Sequence, residues 1–579
     1  MSRREAWLSM GVVFLVALAV RAVAAAAISF PVPEDTAYYA GVARNLAEGR
    51  GLISDALWSY QTQPLVVPRA AFEVWMPLPS LLAALPVAVV GAANWFRAAQ
   101  IVSVTAGSVV AVLAWRLAAD LATEMQLPVG RARTMGIGAG LAAAILGPLV
   151  LYGALPDSTA LFAALSLAAC LLMTRIAAAE GRVVAGARAA PSTIQAVVGD
   201  AASQPGSAPA IPPAGRWPSF DRRLFALGLV LGTAALTRSE AIWLALAWVV
   251  VAWRWTPGDR RRRIGLIAGP AVVALLVFAP WAIRDWLVFG TPLPGQTLSN
   301  AIFAHSYDVF AYQDTPTLAG YLGQGVEPIV GQHLAGLGHD LFNVLVIPGF
   351  PVTVLGLIAL PWVARRRSLR PLVLAAAFTF LATSLVFPVA TQSGTYLHAS
   401  GSAFVLLTVC CIAALDAFIV LVGRLRRWTR PVAWLGPAFA IATVAPLCAL
   451  TVTGIAHQAE DTRNLYDSLP AAMARAGQPL DGATPVITDN PVWLAEAARV
   501  PTLALPEESP DAVLALARQF GAGLLVVRTD GNGAWPDVLN LGGTASKCFQ
   551  EVPLADITGS KPAEGSPLAR IRAFRIVCP

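Results

Sequence analysis

The sequence predicts a polytopic α-helical membrane protein with a small extracytoplasmic α/β domain at its C-terminal end. Hydrophobic residues make up 56% of the 579-residue chain and charged residues 13%, against about 25% charged in soluble domains. Apolar runs of about 20 residues, long enough to cross a bilayer as helices, recur along most of the chain. Beyond residue 454 this character gives way to short alternating strand and helix patterns. The formal net charge is +7. Positive residues gather in the cytoplasmic loops of membrane proteins, so the basic balance speaks of topology and gives no sign of nucleic acid.

The first apolar run, 7–29, follows Arg3 and Arg4, which place the N-terminus in the cytoplasm. Arg21 interrupts it and no clear small-residue cleavage site follows, so it reads as an uncleaved signal anchor. Residues 30–75 are then an outer loop, in which 36–48 reads as a short amphipathic helix on the membrane face. The segment 77–94 is apolar but short and carries Pro77, Pro79 and Pro86, so it competes as an interfacial or re-entrant element. Crossings follow at 97–120, 134–153, 158–175, 223–237, 241–255, 264–282, 341–362, 371–388, 401–422 and 432–454. That makes about eleven spans if 77–94 does not cross, and each dense arginine cluster then lies inside. The clusters are Arg260–Arg263, Arg365–Arg367 and the group Arg424, Arg426, Arg427 and Arg430. The outer loop 289–340 has no Lys or Arg. It is rich in Gly and Tyr and suits a lid. The Ala/Gly/Pro/Ser-rich stretch 177–221 reads as a disordered cytoplasmic linker.

The domains expected are therefore a membrane domain over 1–454 and an extracytoplasmic α/β domain over 455–579. Strands are expected at 486–489, 502–505 and 524–528, with helices at 491–499 and 510–520. Cys170, Cys410, Cys411 and Cys448 fall in apolar helices and read as packing residues. Cys548 and Cys578 are the two extracytoplasmic cysteines, which makes a disulfide between them plausible; two free thiols are the alternative. No Cys/His spacing of metal-site type occurs.

Few ionisable residues lie both outside and near a helix end. They are Glu34, Asp35, Tyr38, Tyr39, Arg44, Glu73, Asp157, Arg238, Glu240, Arg284, Asp285, Tyr396 and His398. They come from separate points of the chain yet share one predicted depth. Ionisable groups there are costly, so together they mark a site. Arginine presents a planar fork of donors suited to phosphate. A carboxylate beside it can take a proton from an incoming hydroxyl. The combination suits transfer of a sugar from a polyprenyl phosphate to an acceptor. His398 is read as a ligand of metal or phosphate, or as a hydrogen-bonded structural histidine. His305, His333 and His339 lack metal-ligand spacing.

The order of these motifs resembles the C-type (GT-C) membrane glycosyltransferases, in particular the protein O-mannosyltransferase and lipid A aminoarabinose transferase group. The resemblance rests on Asp35-x-x-x-Tyr39 with Ala43-Arg44-Asn45-Leu46, and on Glu73-Val74-Trp75-Met76-Pro77-Leu78. It continues through Asp157, Leu236-Thr237-Arg238-Ser239-Glu240, and Pro280-Trp281-Ala282-Ile283-Arg284-Asp285 with Phe289-Gly290-Thr291-Pro292-Leu293. It implies that Asp35 is the general base and that the sugar is transferred with inversion. Glu34 is then a neighbour that raises the Asp35 pKa, a solvated loop acid, or the base itself if the register slips by one. Glu73 and Asp157 orient the acceptor or hold a divalent cation. Arg238 and Arg284, with His398, bind the donor phosphate. The expected partners are a polyprenyl-phosphate sugar, an acceptor lipid, glycan or protein, and membrane lipid, at the plasma membrane. The alternatives are a transporter or flippase for a lipid-linked glycan, against which no inverted repeat is seen, and an inactive binding protein.

Overall fold

A computed structural model describes residues 2–189, 221–294, 299–428, 432–531, 533–555, 560 and 562–578. The chain starts with α1 (Arg3–Ala27), which Ser2 and Glu5 open with reciprocal side-chain-to-backbone bonds, and turns into α2 (Glu34–Ala47). There follow α3 (Leu78–Val90), α4 (Trp95–Glu124), α5 (Val129–Ala144), α6 (Gly147–Ala154), α7 (Ser158–Ala189), α8 (Arg222–Ala235), α9 (Ala241–Arg254) and α10 (Arg260–Phe289). After the outer loop come α11 (Val326–Leu345), α12 (Val352–Val363), α13 (Arg370–Val386), the single turn α14 (Thr395–Ala399), α15 (Gly401–Leu425) and α16 (Leu435–Arg475).

Among the described residues, six helices are long and apolar enough to cross a membrane, or seven if the bent pair α5–α6 counts as one. Shorter apolar helices stand at α3, α9, α12 and α13. Large side chains exposed on α1 and α10, such as Trp7, Leu15, Leu276 and Leu287, are the surface a bilayer covers. The protein is a multi-pass membrane protein.

Several details differ from the sequence reading. The run 341–362 is not one helix, because Pro348 and Pro351 break it between α11 and α12; a proline pushes the residue before it out of helical geometry. Helix α7 continues to Ala189, so the first part of 177–221 is helical; residues 190–220 lie outside the described residues. Helix α2 is packed inside the protein, not laid open on its surface. Its residues Thr36 to Ala40 and Val42 to Asn45 are buried. The span α5–α6 bends by 58°. There the buried Arg21 donates to the carbonyls of Ala17 and Ala144, and so satisfies backbone that the break frees. Gly107 and Gly153 leave room for its guanidinium: a Cβ on either would stand within 2.6 Å of Arg21 Nε.

Helix α16 runs unbroken from membrane-grade sequence into the C-terminal domain and ends at Arg475. That domain adds α17 (Pro491–Ala498) and α18 (Pro510–Phe520). The outer loop after α2 carries β1 (Ile53–Ser54), β2 (Ala56–Leu57) and β3 (Arg69–Ala70). The C-terminal strands are β4 (Val486–Thr488), β5 (Thr502–Ala504), β6 (Leu524–Arg528), β7 (Phe549–Val552) and β8 (Ile571–Ile576). They form a six-stranded sheet of order β2-β5-β4-β6-β8-β7. Strands β2, β5, β4 and β6 are parallel, and β8 and β7 add antiparallel.

The edge strand β2 comes from the first outer loop, with Ala56 opposite Thr502 and Leu57 opposite Leu503. One hydrophobic core accordingly runs from Ile28, Tyr38 and Tyr39 through Leu57 and Phe72 to Leu494, Leu503 and Leu525. The Cys548–Cys578 disulfide is formed and joins the end of the chain to the start of β7; the other four cysteines are free and buried. The loop after α10 is pinned on both sides. Glu508 accepts from the backbone N–H groups of Tyr312, Gln313 and Asp314, and Gln61 donates to the Asp308 carbonyl.

Candidate active site

The first turn of α2 holds two acids, which suits the positive end of a helix. Successive helical residues point about 100° apart, so Glu34 and Asp35 face different surroundings. Glu34 faces the C-terminal domain. Its carboxylate accepts from the backbone N–H groups of Val492 at 3.2 Å and Trp493 at 3.4 Å, in the first turn of α17. The Trp493 indole donates to the Pro31 carbonyl at 3.0 Å. Burial, with the charges of Asp489 and Asp35, pushes the Glu34 carboxyl up to about 8.

About three turns further along α2, Arg44 pairs with Glu496 of α17 at 2.7 Å and lies over the Trp95 ring. Asn45 donates to the Ile53 carbonyl and to Asp55. The Ala-Arg-Asn-Leu segment thus ties the membrane part to the C-terminal domain.

Asp35 faces the membrane helices, on the same side as Tyr39 one turn later. Its side chain is 33% exposed, while His398 behind it is 7% and Asp157 1% exposed. His398 Nε2 stands 3.7 Å from Asp35 Oδ2, and Nδ1 stands 3.5 Å from Asp157 Oδ1. Asp157 immediately precedes α7 and caps it: Oδ1 accepts from the Thr159 N–H at 2.7 Å and from the Thr159 hydroxyl at 2.5 Å. Thr159 Oγ1 also lies 2.8 Å from His398 Nδ1. His398 sits on α14, which Gly394 starts with a left-handed φ of +102°. Tyr152 packs its ring 4.7 Å from the imidazole.

Arg238, between α8 and α9, completes this cluster. It donates to Ser158 Oγ at 2.9 Å and holds Glu240 through two nitrogens at 2.6 and 3.2 Å. Burial raises the Asp35 carboxyl, and Asp157 adds to that, against the pull of His398, Arg238 and the Trp75 indole. Burial also opposes charge on Asp157, but His398 and the Thr159 bonds outweigh it and hold that carboxyl low. The same two acids lift His398 against its burial.

A second cluster lies on the Tyr38 side of α2. Arg69 and Glu73 form a fully buried pair, each 2% exposed. Arg284, at the end of α10, bonds Asp285 at 2.8 Å, lies over Trp281 and Phe289, and keeps 21% of its side chain open. Aromatic rings stand between the two clusters. Tyr38 and Trp58 both meet Trp75 at 4.3 Å, and Phe72 packs on Tyr38 at 5.7 Å and on Trp281 at 5.8 Å. Phe72 holds a left-handed φ of +72°, fixed by its N–H donating to the Tyr38 hydroxyl at 2.7 Å.

The structure therefore brings Asp35, Asp157, Arg238 and His398 together. It pairs Glu73 with Arg69, sets Arg284 beyond the aromatic rings, and gives Glu34 to the C-terminal domain. Thr159, Ser158 and Tyr152 were not singled out from the sequence, although Asp157-Ser158-Thr159 before an apolar run is a helix-start signature.

Among the described residues, no group of three or more His, Cys, Asp or Glu side chains is placed to hold a metal ion. The arrangement gives a reason. Asp35 and Asp157 face opposite nitrogens of one imidazole, so the ring itself lies between them and the three share no common point. Of the two acids to which the resemblance gave a divalent cation, Glu73 is paired with Arg69 and Asp157 stands in the His398 cluster.

No sequence-family model and no curated protein matches the chain. Solved structures do. The chain superposes on ArnT from Cupriavidus metallidurans bound to undecaprenyl phosphate with a TM-score of 0.50 and 13% identity, over 98% of each chain. It superposes on the oligosaccharyltransferase of Archaeoglobus fulgidus, tethered with an acceptor peptide containing the NVT sequon, with a TM-score of 0.51 and 12% identity. That match covers 96% of this chain and 74% of the other. The chain shares the fold of these two structures, as its resemblance to the GT-C group led one to expect.

Proposed function

We propose that this protein is a glycosyltransferase that moves a sugar from a polyprenyl-phosphate donor to an acceptor hydroxyl at the outer face of the plasma membrane, inverting the anomeric centre. The observation that carries the reading is Asp35, a partly open carboxylate backed by a buried His398, Asp157 and Arg238. Its raised pKa brings it nearer the range in which a carboxylate serves as a general base. The acceptor oxygen gives its proton to Asp35 and bonds to the sugar C1. The bond from C1 to the phosphate oxygen breaks, and polyprenyl phosphate leaves with the electron pair. Arg284, the open cation of the second cluster, and Arg238 meet the phosphate charge as it develops. The N-terminus is cytoplasmic and the C-terminal domain extracytoplasmic in this reading, which agrees with the Cys548–Cys578 disulfide.

The test is an in vitro assay that offers purified protein a panel of polyprenyl-phosphate sugars with candidate lipid, glycan and peptide acceptors, and scores release of polyprenyl phosphate. Release by wild type and not by Asp35→Asn supports both the donor class and the base. Equal release by the two proteins removes Asp35 from the role and moves the test to Glu34. No release from any pairing rejects the glycosyltransferase reading.

A further inference from the structure

Two carboxylates in one low-dielectric pocket repel each other unless a positive charge stands between them. Here the group between them is a side chain. We infer that His398 is a positioning residue that bridges Asp35 and Asp157 through its two ring nitrogens, so that the protein's own imidazole does what a shared cation would do. The inference rests on the proposed role of Asp35.

The hydrogen bonds fix the direction of the bridge. The Thr159 hydroxyl has one proton, and its 2.5 Å contact with Asp157 Oδ1 takes it. Thr159 Oγ1 therefore accepts from His398 Nδ1 at 2.8 Å, and Nδ1 carries a proton. That leaves Nε2 turned to Asp35. The two acids favour the doubly protonated ring, and at 3.7 Å the imidazolium is close enough to Asp35 for Coulomb attraction and too far for a hydrogen bond. Asp35 keeps its lone pairs for an acceptor hydroxyl while its charge is held in place.

Asp157 depends on the bridge from the other side. It is almost fully buried, and its Oδ2 has no hydrogen-bond partner among the described residues. Its carboxylate is bonded by Thr159 and faced by His398, with the positive charge of Arg238 nearby. Asp157 thus steadies the imidazole, and the imidazole steadies Asp35.

The experiment has an arm that needs no activity. Thermal unfolding of the full-length protein is measured for His398→Ala in the wild-type, Asp157→Asn and Asp35→Asn backgrounds. A bridge predicts that His398→Ala lowers Tm most in the wild-type background and clearly less in each of the others, because neutralising either acid removes part of what the imidazole compensates. Equal losses in all three backgrounds overturn the inference. So does saturable Mn²⁺ binding to the wild type by calorimetry that Asp157→Asn abolishes.

The second arm reads turnover. His398→Ala, His398→Asn and His398→Gln are expected to lose about 10- to 100-fold in kcat with donor KM within about 2-fold of wild type, since the last two each reach one acid but not both. Wild-type turnover is expected to persist in excess chelator. A raised donor KM with unchanged kcat would place His398 on the donor phosphate and overturn the bridge. If the wild type transfers no sugar at all, the proposed function fails, while the thermal arm still decides whether His398 couples the two acids.

Discussion

The two sides of helix α2 hold charges in different ways. On the Tyr39 side, two acids share one imidazole, and Asp35 is left partly open, with no salt bridge to an arginine among the described residues. On the Tyr38 side each acid has an arginine to itself: Glu73 with Arg69, and Asp285 with Arg284. A carboxylate bonded to arginine has its lone pairs occupied, although burial still pushes the Glu73 carboxyl up to about 7 against the pull of Arg69. A carboxylate beside a shared imidazole, in a buried setting, keeps its lone pairs. The contrast separates the labour. In the proposed function, proton transfer falls to the Tyr39 side, while the donor phosphate meets Arg284 on the Tyr38 side together with Arg238, and the rings of Trp75, Tyr38 and Phe72 stand between the two clusters.

Asp35→Asn strikes the first side directly. It is expected to lower turnover by about 10²- to 10⁴-fold while keeping the fold, as losing a general base does. Steady-state kinetics beside a thermal melt would check it. Near-normal turnover would erase the distinction between the sides.

Glu496→Ala probes the support beneath both. It leaves Arg44 buried and unpaired, with an expected loss of about 3 kcal/mol, read as a lower Tm and earlier proteolysis of the C-terminal domain. Replacing Arg44 and Glu496 together by Met and Leu is expected to recover much of that loss.

Arg284→Ala tests the second side. It should raise donor KM about tenfold and leave the pH profile of kcat unchanged.

The pH profile separates the sides more finely. Burial raises the Asp35 carboxyl above its ordinary value of 3.8, so turnover should fall, as pH drops, through a value higher than that. A log kcat profile flat down to the ordinary value would speak against Asp35 as base.

The smallest effect is expected at Glu34. Its pKa rises on folding from 4.5 to about 8, so its protonation favours the folded state fully below 4.5 and ceases to do so as pH passes about 8. Glu34→Gln does not titrate. Its Tm should therefore fall less than that of the wild type as pH rises through about 8, with kcat little changed. A large loss of kcat in Glu34→Gln would instead bring Glu34 into the chemistry.

Much of this was legible in the sequence for a definite reason. Long apolar runs mark spans whatever the partner, and a charged residue at the end of such a run is conspicuous. Asp35, Asp157, Arg238 and His398 stood out in that way, and the structure gathers all four. What the sequence could not carry was direction. Whether Glu34 or Asp35 faces inward depends on where α2 begins and on an N-terminal helix turn at Val492 and Trp493, more than 450 residues away. The pairing of Glu73 with Arg69 was hidden because Arg69 sits in a two-residue strand with no period to reveal it. Strand β2 has the same length, so its place in the C-terminal sheet left no trace. The break between α11 and α12 was written in Pro348 and Pro351, but the apolar run around them masked it.

The division of labour across α2 is tested most directly by binding of polyprenyl phosphate to wild type, Asp35→Asn and Arg284→Ala, measured by calorimetry in one detergent. The account predicts that Asp35→Asn binds as tightly as wild type and that Arg284→Ala binds about tenfold more weakly. Weakened binding in Asp35→Asn with normal binding in Arg284→Ala would contradict it.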